Sequence, residues 1–521
     1  MDDQLFAAGG LTVRVAEPVS LDELAEAAPL LAAKDPTLWG SEAEPEASKR
    51  LGWVDTFVRS RDLIAQLAEL RDELADLDHV VLAGMGGSSL APEVITRTLG
   101  VPLTVLDTTD PGQVLAALKD RLLTTVVVVA SKSGSTVETD SHRRVYWQAF
   151  LDAGLTEAEA GRHFVVVTDP GSPLETTARE MGAYVILADP DVGGRYSALT
   201  AFGLVPSALA GVDIAELLDQ AAEFAPSIGS ATDNPSLLLG AALAKTKFAA
   251  LIDDGTGITG LGDWAEQLIA ESTGKEGKGI LPIVVETPTS PGATGPGVLT
   301  VTTGGSLYAG DVPGSGVAPG VSVNGPLGAQ FLCWEAATAF AGKALGINPF
   351  DQPNVTESKD NTAAILTSGI PVEQPEFVDG AITAYGVGGS LTAAIDLLAS
   401  DADYVAVMAY LDRFADAAIA DLRPLLAARF GKPVTFGWGP RFLHSTGQFH
   451  KGGPQVGAFL QLTGAITEDL RVPGKPYTFG ELQAAQAAGD RQALLTRQSP
   501  LLHLHLSDRA AGIDELLKAL S

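Results

Sequence analysis

The sequence is nearly free of cysteine, with Cys333 alone among 521 residues. One thiol cannot form an intramolecular disulfide, and it cannot supply the clustered thiolates of a cysteine-based metal site. The segment Met1–Phe6 is acidic and lacks the pattern of a signal peptide. We therefore expect a protein of the reducing cytoplasm.

Long apolar runs and positive charge are also scarce. No apolar run approaches the length that spans a membrane, so we expect no membrane segment. Acidic residues number 64 against 34 basic ones, and the resulting net charge of −30 disfavours binding to nucleic acid or to an anionic membrane. The same charge repels a phosphate ester over most of the surface. Such a ligand would need a dedicated local site.

Strand and helix patterns alternate regularly through the first half of the chain. Strand-like segments separated by helical stretches of about ten to seventeen residues lie at 79–83, 103–107, 125–130, 163–168 and 183–188. Repeated β–α units predict a mainly parallel, doubly wound sheet with ligand sites at the carboxyl ends of its strands. Further strands, which we group into a second sheet, are predicted at 280–285, 298–302, 404–410, 433–436 and 456–462.

The predicted fold is therefore α/β, with two doubly wound, mainly parallel sheets flanked by helices. We divide the chain into an N-terminal arm at 1–50, a first α/β domain at 51–225, and a second α/β domain at 226–521 that includes a C-terminal helical segment.

A loop rich in hydroxyl groups follows the valine run at 126–129. It reads Ser131-Lys132-Ser133-Gly134-Ser135-Thr136, and a helical pattern resumes at Glu138. Free N–H groups at a helix start, neighbouring hydroxyls and a glycine together form a cradle for phosphate. The alternative is that these serines and threonines only cap the helix.

A second turn, Gly84-Met85-Gly86-Gly87-Ser88, follows the first predicted strand. Ser89 stands where a dinucleotide-binding loop needs its third glycine, so we predict no nucleotide cofactor. The turn could instead hold the same phosphate from another side. The predicted phosphate ligands are Gly87, Ser88, Ser131, Lys132, Ser133 and Thr136, with Lys132 acting through its backbone N–H if its side chain points away.

Five segments, in this order, resemble the phosphoglucose isomerase family, whose members are built from two sugar-isomerase (SIS) domains. They are Gly86-Gly87-Ser88, Ser131–Thr136, Gly194-Arg195-Tyr196-Ser197, Gln267–Ser272 followed by Gly274-Lys275, and Asn348-Pro349-Phe350-Asp351-Gln352 with Lys359 seven residues after Gln352. The resemblance implies an aldose–ketose isomerase of hexose 6-phosphates that needs neither cofactor nor metal.

The resemblance implies Glu271 as the catalytic base and Arg195 as the cation that stabilises an enediolate. Helical spacing places Gln267 on the face of Glu271, where its amide could orient the carboxylate or a sugar hydroxyl. A carboxylate of ordinary pKa is ionised at neutral pH and can accept the proton. The alternative is a solvated Glu271 paired with Lys275. Gln352 completes the substrate-binding set.

The histidine segment departs from the usual family order. In ordinary members it lies between the glutamate and lysine elements, whereas His444-Ser445-Thr446-Gly447-Gln448 follows the lysine element here. This order resembles the isomerase portion of transaldolase–phosphoglucose isomerase fusions and their actinobacterial-type relatives. His444 is the candidate for ring opening, with Lys359 as its helper, and His450 remains an alternative because a histidine titrates near neutrality.

The function implied is interconversion of glucose 6-phosphate and fructose 6-phosphate through an enediol(ate), in glycolysis and gluconeogenesis by analogy. Two alternatives stay open. One is a dual isomerase that also accepts mannose 6-phosphate, and the other is a non-catalytic sugar-phosphate sensor, which the displaced histidine would favour. Ordinary family members are dimers that share the histidine between subunits. The relocated segment could make that sharing unnecessary here, so the oligomeric state stays open, with a homodimer as one alternative.

Overall fold

The computed structural model describes residues 3–304 and 320–521. Its strands, in chain order, are β1 (Gln4–Ala8), β2 (Leu11–Val15), β3 (His79–Gly84), β4 (Thr104–Leu106), β5 (Thr125–Ala130), β6 (Phe164–Thr168), β7 (Tyr184–Leu187), β8 (Phe248–Asp253), β9 (Leu281–Val284), β10 (Val298–Gly304), β11 (Val321–Asn324), β12 (Phe377–Asp379), β13 (Ile382–Tyr385), β14 (Tyr404–Tyr410), β15 (Val434–Trp438), β16 (Gly457–Gly464) and β17 (Leu501–Leu506).

The α-helices are α1 (Asp22–Ala25), α2 (Ala27–Ala32), α3 (Glu44–Ala47), α4 (Thr56–Arg59), α5 (Asp62–Glu73), α6 (Leu90–Thr98), α7 (Pro111–Lys119), α8 (Val137–Asp152), α9 (Glu157–Arg162), α10 (Pro173–Glu180), α11 (Ala201–Ala210), α12 (Ile214–Phe224), α13 (Pro235–Leu243), α14 (Leu261–Thr273), α15 (Leu327–Leu345), α16 (Val355–Ser368), α17 (Leu391–Leu398), α18 (Leu422–Phe430), α19 (Gly447–Gly452), α20 (Phe479–Thr496) and α21 (Arg509–Leu520). Within residues 3–304 and 320–521, no helix combines the length and the apolarity needed to cross a bilayer.

The first sheet has the order β4-β3-β5-β6-β7, with all neighbours parallel. Val126 and Val128 of β5 pack into one hydrophobic core, whereas Val127 and Val129 pack into another on the opposite face. A strand covered on both faces needs apolar side chains at every position, which explains the unbroken valine run. The five strands predicted for this region are confirmed, with ends shifted by a residue or so.

The second half of the chain departs from the predicted grouping of strands. Among the described residues its strands lie in two sheets, ordered β1-β2-β11-β10-β8-β9 and β12-β13-β17-β16-β14-β15. The α/β class with helix-flanked, mainly parallel sheets is confirmed, but residues 3–304 and 320–521 form three sheets where two were predicted. Spacing along the chain identifies strands without revealing their partners. Strand β8 lies outside all the predicted strands.

The N-terminal arm is part of the second sheet. Strand β2 pairs antiparallel with β11, with Val13 opposite Val323 and Val15 opposite Val321. Leu11 and Val13 are fully buried in the core that this sheet shares with the first. The division into domains at residues 50 and 225 stays a prediction.

Site-bearing turns follow three strands of the first sheet. The turn Gly86–Ser88 comes after β3, the Ser131–Thr136 loop after β5, and the turn Gly194–Tyr196 after β7. Because parallel strands end at the same edge of a sheet, these turns share that edge.

The packing of the N-terminal arm generates a stability prediction. Leu11→Ala removes a fully buried side chain, and we expect it to lower the free energy of unfolding by about 2–5 kcal/mol. Leu5→Ala on the neighbouring strand is the control, because Leu5 is 43% exposed and its loss should cost within about 0.5 kcal/mol. Urea unfolding followed by tryptophan fluorescence measures both. Equal destabilisation by the two variants would contradict the packing of the arm.

Candidate active site

The Ser131–Thr136 loop places two pairs of hydroxyls at the start of α8. Ser131 Oγ lies 2.9 Å from Thr136 Oγ1, and Ser133 Oγ lies 3.0 Å from Ser135 Oγ. Thr136 occupies the N-cap position but makes no side-chain hydrogen bond to the helix. The capping alternative therefore does not account for this threonine, and the geometry suits an anion held by hydroxyls and helix N–H groups.

The Lys132 side chain points away from these hydroxyls. Its ammonium lies 2.6 Å from a carboxylate oxygen of Asp169 and 3.4 Å from the carbonyl oxygen of Asp189. An ammonium already paired in this way has little left to offer a ligand. We expect Lys132 to contribute through its backbone, as the sequence analysis allowed.

The Gly86–Ser88 turn packs too closely against its neighbours to accept larger residues. A Cβ atom at Gly86, where φ is +54°, would lie 2.6 Å from Nε2 of Gln267 and 2.9 Å from the carbonyl oxygen of His444. A Cβ atom at Gly87 would lie 2.0 Å from the carbonyl oxygen of Gly194. Glycine is required where backbones approach this closely. The turn therefore brings the arginine turn, Gln267 and the histidine segment together.

Arg195 and Glu271 form a buried ion pair. Nη1 of Arg195 lies 3.5 Å from Oε2 of Glu271, and the two side chains are 3% and 6% exposed. The remaining guanidinium donors are occupied: Nε donates to Ser272 Oγ at 2.9 Å, and Nη2 donates to the carbonyl oxygens of Pro349 at 2.6 Å and Asp351 at 2.9 Å. The guanidinium is thus fixed with one edge facing the carboxylate.

Burial sets the protonation behaviour of this pair. It raises the pKa of Glu271, against the opposing effects of Arg195, His444 and the Gln267 amide. The expectation of an ordinary pKa for Glu271 is therefore wrong, and the ionised carboxylate is a stronger base than an exposed glutamate. Lys275 pairs with Asp351 at 2.7 Å and not with Glu271. The solvated pair considered from the sequence does not form.

His444 is oriented by a carboxylate that the sequence analysis missed. Its Nε2 lies 3.1 Å from Oε1 of Glu138, and the Gln486 amide donates to the same oxygen at 2.7 Å. Burial raises the pKa of Glu138, but His444 and Lys359 outweigh it and the pKa is lowered. Glu138 is therefore an anion that holds the imidazole. Its position directly after the hydroxyl loop was the available signal.

His450 is an interior residue. Its ring packs against Tyr404, Phe442 and Phe459. Neither ring nitrogen has a hydrogen-bond partner among the described residues. Burial, together with the Lys451 charge, lowers the pKa of His450 to about 3. This histidine stays neutral at physiological pH, so the geometry favours His444 over His450.

A cavity of about 330 Å³ joins the hydroxyl loop to the histidine. Ser133, Thr136, Lys359 and His444 are among its lining residues. Lys359, on α16, is exposed at the cavity, whereas Gln352 is exposed outside this lining.

Arg195 and Glu271 also lie outside the lining of that cavity. His444 links the two parts, because it borders the cavity, contacts the Gly86 turn and interacts electrostatically with Glu271. The roles of Ser88 and of the other substrate-binding residues stay predictions. The fold and this arrangement are those of an α/β protein with a hydroxyl-lined cavity that His444 links to a buried carboxylate–guanidinium pair.

Residues 70–257 match the family model of phosphoglucose isomerase. This match confirms the resemblance to that family over residues 70–257. The match to the family model includes the hydroxyl loop and Arg195 but ends before Glu271.

Curated relatives carry related names. The chain is 36% identical over 222 residues to a probable glucose-6-phosphate isomerase of Haloarcula marismortui, covering 40% of this chain and 50% of the relative. It is 35% identical over 247 residues to a glucose-6-phosphate isomerase of Thermosynechococcus vestitus, covering 42% of this chain and 45% of the relative. The chain thus spans about half the length of these relatives.

A solved structure supports the fold. The crystal structure of a glucose-6-phosphate isomerase from Chlamydia trachomatis matches with a TM-score of 0.55 and 21% identity, over 70% of this chain and 90% of that one.

The two sides of the hydroxyl loop generate a binding prediction. Thr136→Val removes one hydroxyl of the loop. Because a hydrogen bond to a charged group contributes about 1.5–3 kcal/mol, we expect roughly 10- to 100-fold weaker binding of sorbitol 6-phosphate. Lys132→Met should change the affinity by no more than about threefold, because the ammonium is paired with Asp169. Isothermal calorimetry measures both. A larger loss in Lys132→Met than in Thr136→Val would contradict this orientation.

Proposed function

We propose that this protein is an aldose–ketose isomerase that interconverts glucose 6-phosphate and fructose 6-phosphate through an enediol(ate). The observation that carries the proposal is the buried Glu271–Arg195 pair, 3.5 Å apart, beside the turn that contacts His444. The match to phosphoglucose isomerase and the names of the curated relatives support the choice of substrate.

Phosphate anchoring begins the proposed reaction. The hydroxyls of the Ser131–Thr136 loop, the N-terminus of α8 and the Gly86–Ser88 turn hold the dianion, with Lys359 adding positive charge at the cavity. The proposed substrate-binding set is Gly87, Ser88, Ser131, Lys132, Ser133, Thr136, Gln267 and Gln352. A fixed anchor keeps the reacting carbons at a constant distance from the acid–base groups.

His444 opens the sugar ring in this proposal. The imidazolium gives a proton to the ring oxygen as the bond from that oxygen to the anomeric carbon breaks. The neutral imidazole then accepts the proton of the anomeric hydroxyl, with Lys359 as its helper, and a free aldehyde or ketone results. Glu138 stabilises the imidazolium and holds its orientation through the 3.1 Å contact.

Glu271 then transfers the proton between neighbouring carbons. It removes the proton from C2 of the open aldose and returns it to C1, while a proton moves from the C2 hydroxyl to the C1 oxygen. Negative charge develops on these oxygens in the enediolate, and the fixed guanidinium of Arg195 is the cation that lowers its energy. Gln267 orients the carboxylate.

The sensor alternative loses its main support. The displaced histidine segment favoured it, yet His444 lies against Glu138 and the cavity despite its late position in the chain. Assays with mannose 6-phosphate distinguish a dual isomerase from one that acts only on glucose 6-phosphate and fructose 6-phosphate. The cytoplasmic location and the homodimer stay predictions.

The base assignment predicts the effect of Glu271→Gln. The amide cannot accept a proton, so we expect kcat to fall about 10³-fold in a coupled isomerase assay, with KM changed less. Glu335→Gln is the matched control, because Glu335 is another fully buried glutamate, on α15, and burial raises its pKa well above its ordinary value as it raises that of Glu271. Full activity in Glu271→Gln would eliminate this residue as the base.

Ring opening predicts a substrate-dependent effect of His444→Gln. We expect turnover of fructose 6-phosphate to fall about 10²-fold. Turnover of 5-deoxyfructose 6-phosphate should stay within about threefold of the wild type, because this sugar lacks the C5 hydroxyl, carries phosphate on O6 and cannot close a ring. Glu271→Gln should slow both substrates. NMR detection of the products measures the turnover of each sugar. If His444→Gln lowered the turnover of both sugars equally, the ring-opening role would be refuted.

A further inference from the structure

A buried cluster of two arginines and two carboxylates joins the first sheet to the third. Nη2 of Arg441 lies 2.6 Å from Glu93, and its Nη1 lies 3.1 Å from Asp107. Nη1 of Arg413 lies 3.0 Å from Glu93 and 3.9 Å from Asp107. The side chains of both arginines are 12% exposed, Glu93 is 14% exposed and Asp107 is 2% exposed.

The two carboxylates belong to the elements that carry the Gly86–Ser88 turn. Glu93 lies in α6, directly after that turn, and Asp107 follows β4, the neighbour of β3. Ser89 joins them to the turn, because its Oγ lies 3.4 Å from Asp107 and donates to the carbonyl oxygen of Gly86 at 3.2 Å. The carboxylates are therefore attached to the same elements as the turn.

Arg441 opens the short 3-10 turn Arg441–His444, so it lies three residues before the ring-opening candidate. On the other side of His444, the hydroxyl of Ser445 donates to Glu266 at 3.1 Å. The backbone of His444 packs against Gly86 between these two attachments. The segment is thus held at one end by elements of the first sheet and at the other by α14.

The cluster keeps its charges despite burial. Burial raises the pKa of Glu93, but Arg441 and Arg413 outweigh it and lower the pKa to about 2. Buried ion pairs of this kind contribute little net stability, because the cost of desolvation offsets the attraction. Their geometry is nevertheless specific, since a guanidinium that bridges two carboxylates has only one favourable placement.

We propose that Arg441 is a positioning residue for His444: by bridging Glu93 and Asp107 it sets the placement of the histidine segment against the Gly86 turn. This inference rests on the proposed function, because the role of His444 in ring opening is part of it. A chain that supplies its histidine from the third sheet needs such an attachment to the first.

The test is the pair of substrates that separates ring opening from proton transfer. We expect Arg441→Gln to lower kcat on fructose 6-phosphate by roughly 10- to 100-fold, because a misplacement of about 1 Å costs about that much. KM should change less, and turnover of 5-deoxyfructose 6-phosphate should stay within about threefold of the wild type. Arg441→Lys should give a smaller loss with the same split, and it serves as the test variant if Arg441→Gln does not fold.

Arg413→Gln is the matched control. Arg413 contacts the same two carboxylates and is equally buried, but it lies in the loop after β14 and outside the turn that carries His444. We expect a loss of thermal stability comparable to that of Arg441→Gln, without the difference between the two substrates.

The outcomes separate the two proposals. A wild-type protein inactive on both sugars would overturn the proposed function and the inference with it. An active wild type in which Arg441→Gln behaves as Arg413→Gln does, or slows both sugars equally, would overturn the inference alone.

Discussion

The site depends on one buried attraction, between the guanidinium of Arg195 and the carboxylate of Glu271. Arg195 follows the first sheet and Glu271 lies on α14, between strands of the second sheet. Neither charge is tolerable alone at this depth, since a buried ion without a partner is strongly destabilising. The carbonyl oxygens of Pro349 and Asp351 fix the guanidinium further. The ion pair therefore helps to fix the first and second sheets in the relative position that the proposed proton transfer requires.

Because the chain is strongly acidic, a phosphorylated ligand finds positive charge only at particular places in the structure. With a net charge of −30, most of the surface repels a phosphorylated ligand, and long-range attraction cannot bring it in. Lys359 and the start of α8 provide a local exception at the cavity. Arg195 and Arg441, by contrast, are paired with buried carboxylates of the protein itself. The proposed phosphate binding is thus a property of one loop rather than of the whole surface.

Local patterns in the sequence were sufficient for much of the fold and for part of the site. The strands at 125–130 and 404–410 have the predicted bounds, because an unbroken run of apolar residues identifies a strand buried on both faces. The hydroxyl loop at a strand end and the glycines of the Gly86 turn are likewise local features. Strands β1, β2, β8, β11, β12, β13 and β17 were not predicted. The pairing of β2 with β11 was missed because partners distant in the chain leave no local signal.

The sequence by itself determined the α/β class, the anion loop, and the residue types available for acid–base chemistry, because each depends on neighbours within a few positions. Only the tertiary structure decided that the strands form three sheets, that Glu138 orients His444, and that burial raises the pKa of Glu271. It also decided that a histidine late in the chain meets a turn near residue 86. These outcomes depend on desolvation and on contacts between residues hundreds of positions apart, and both arise only when the sheets pack.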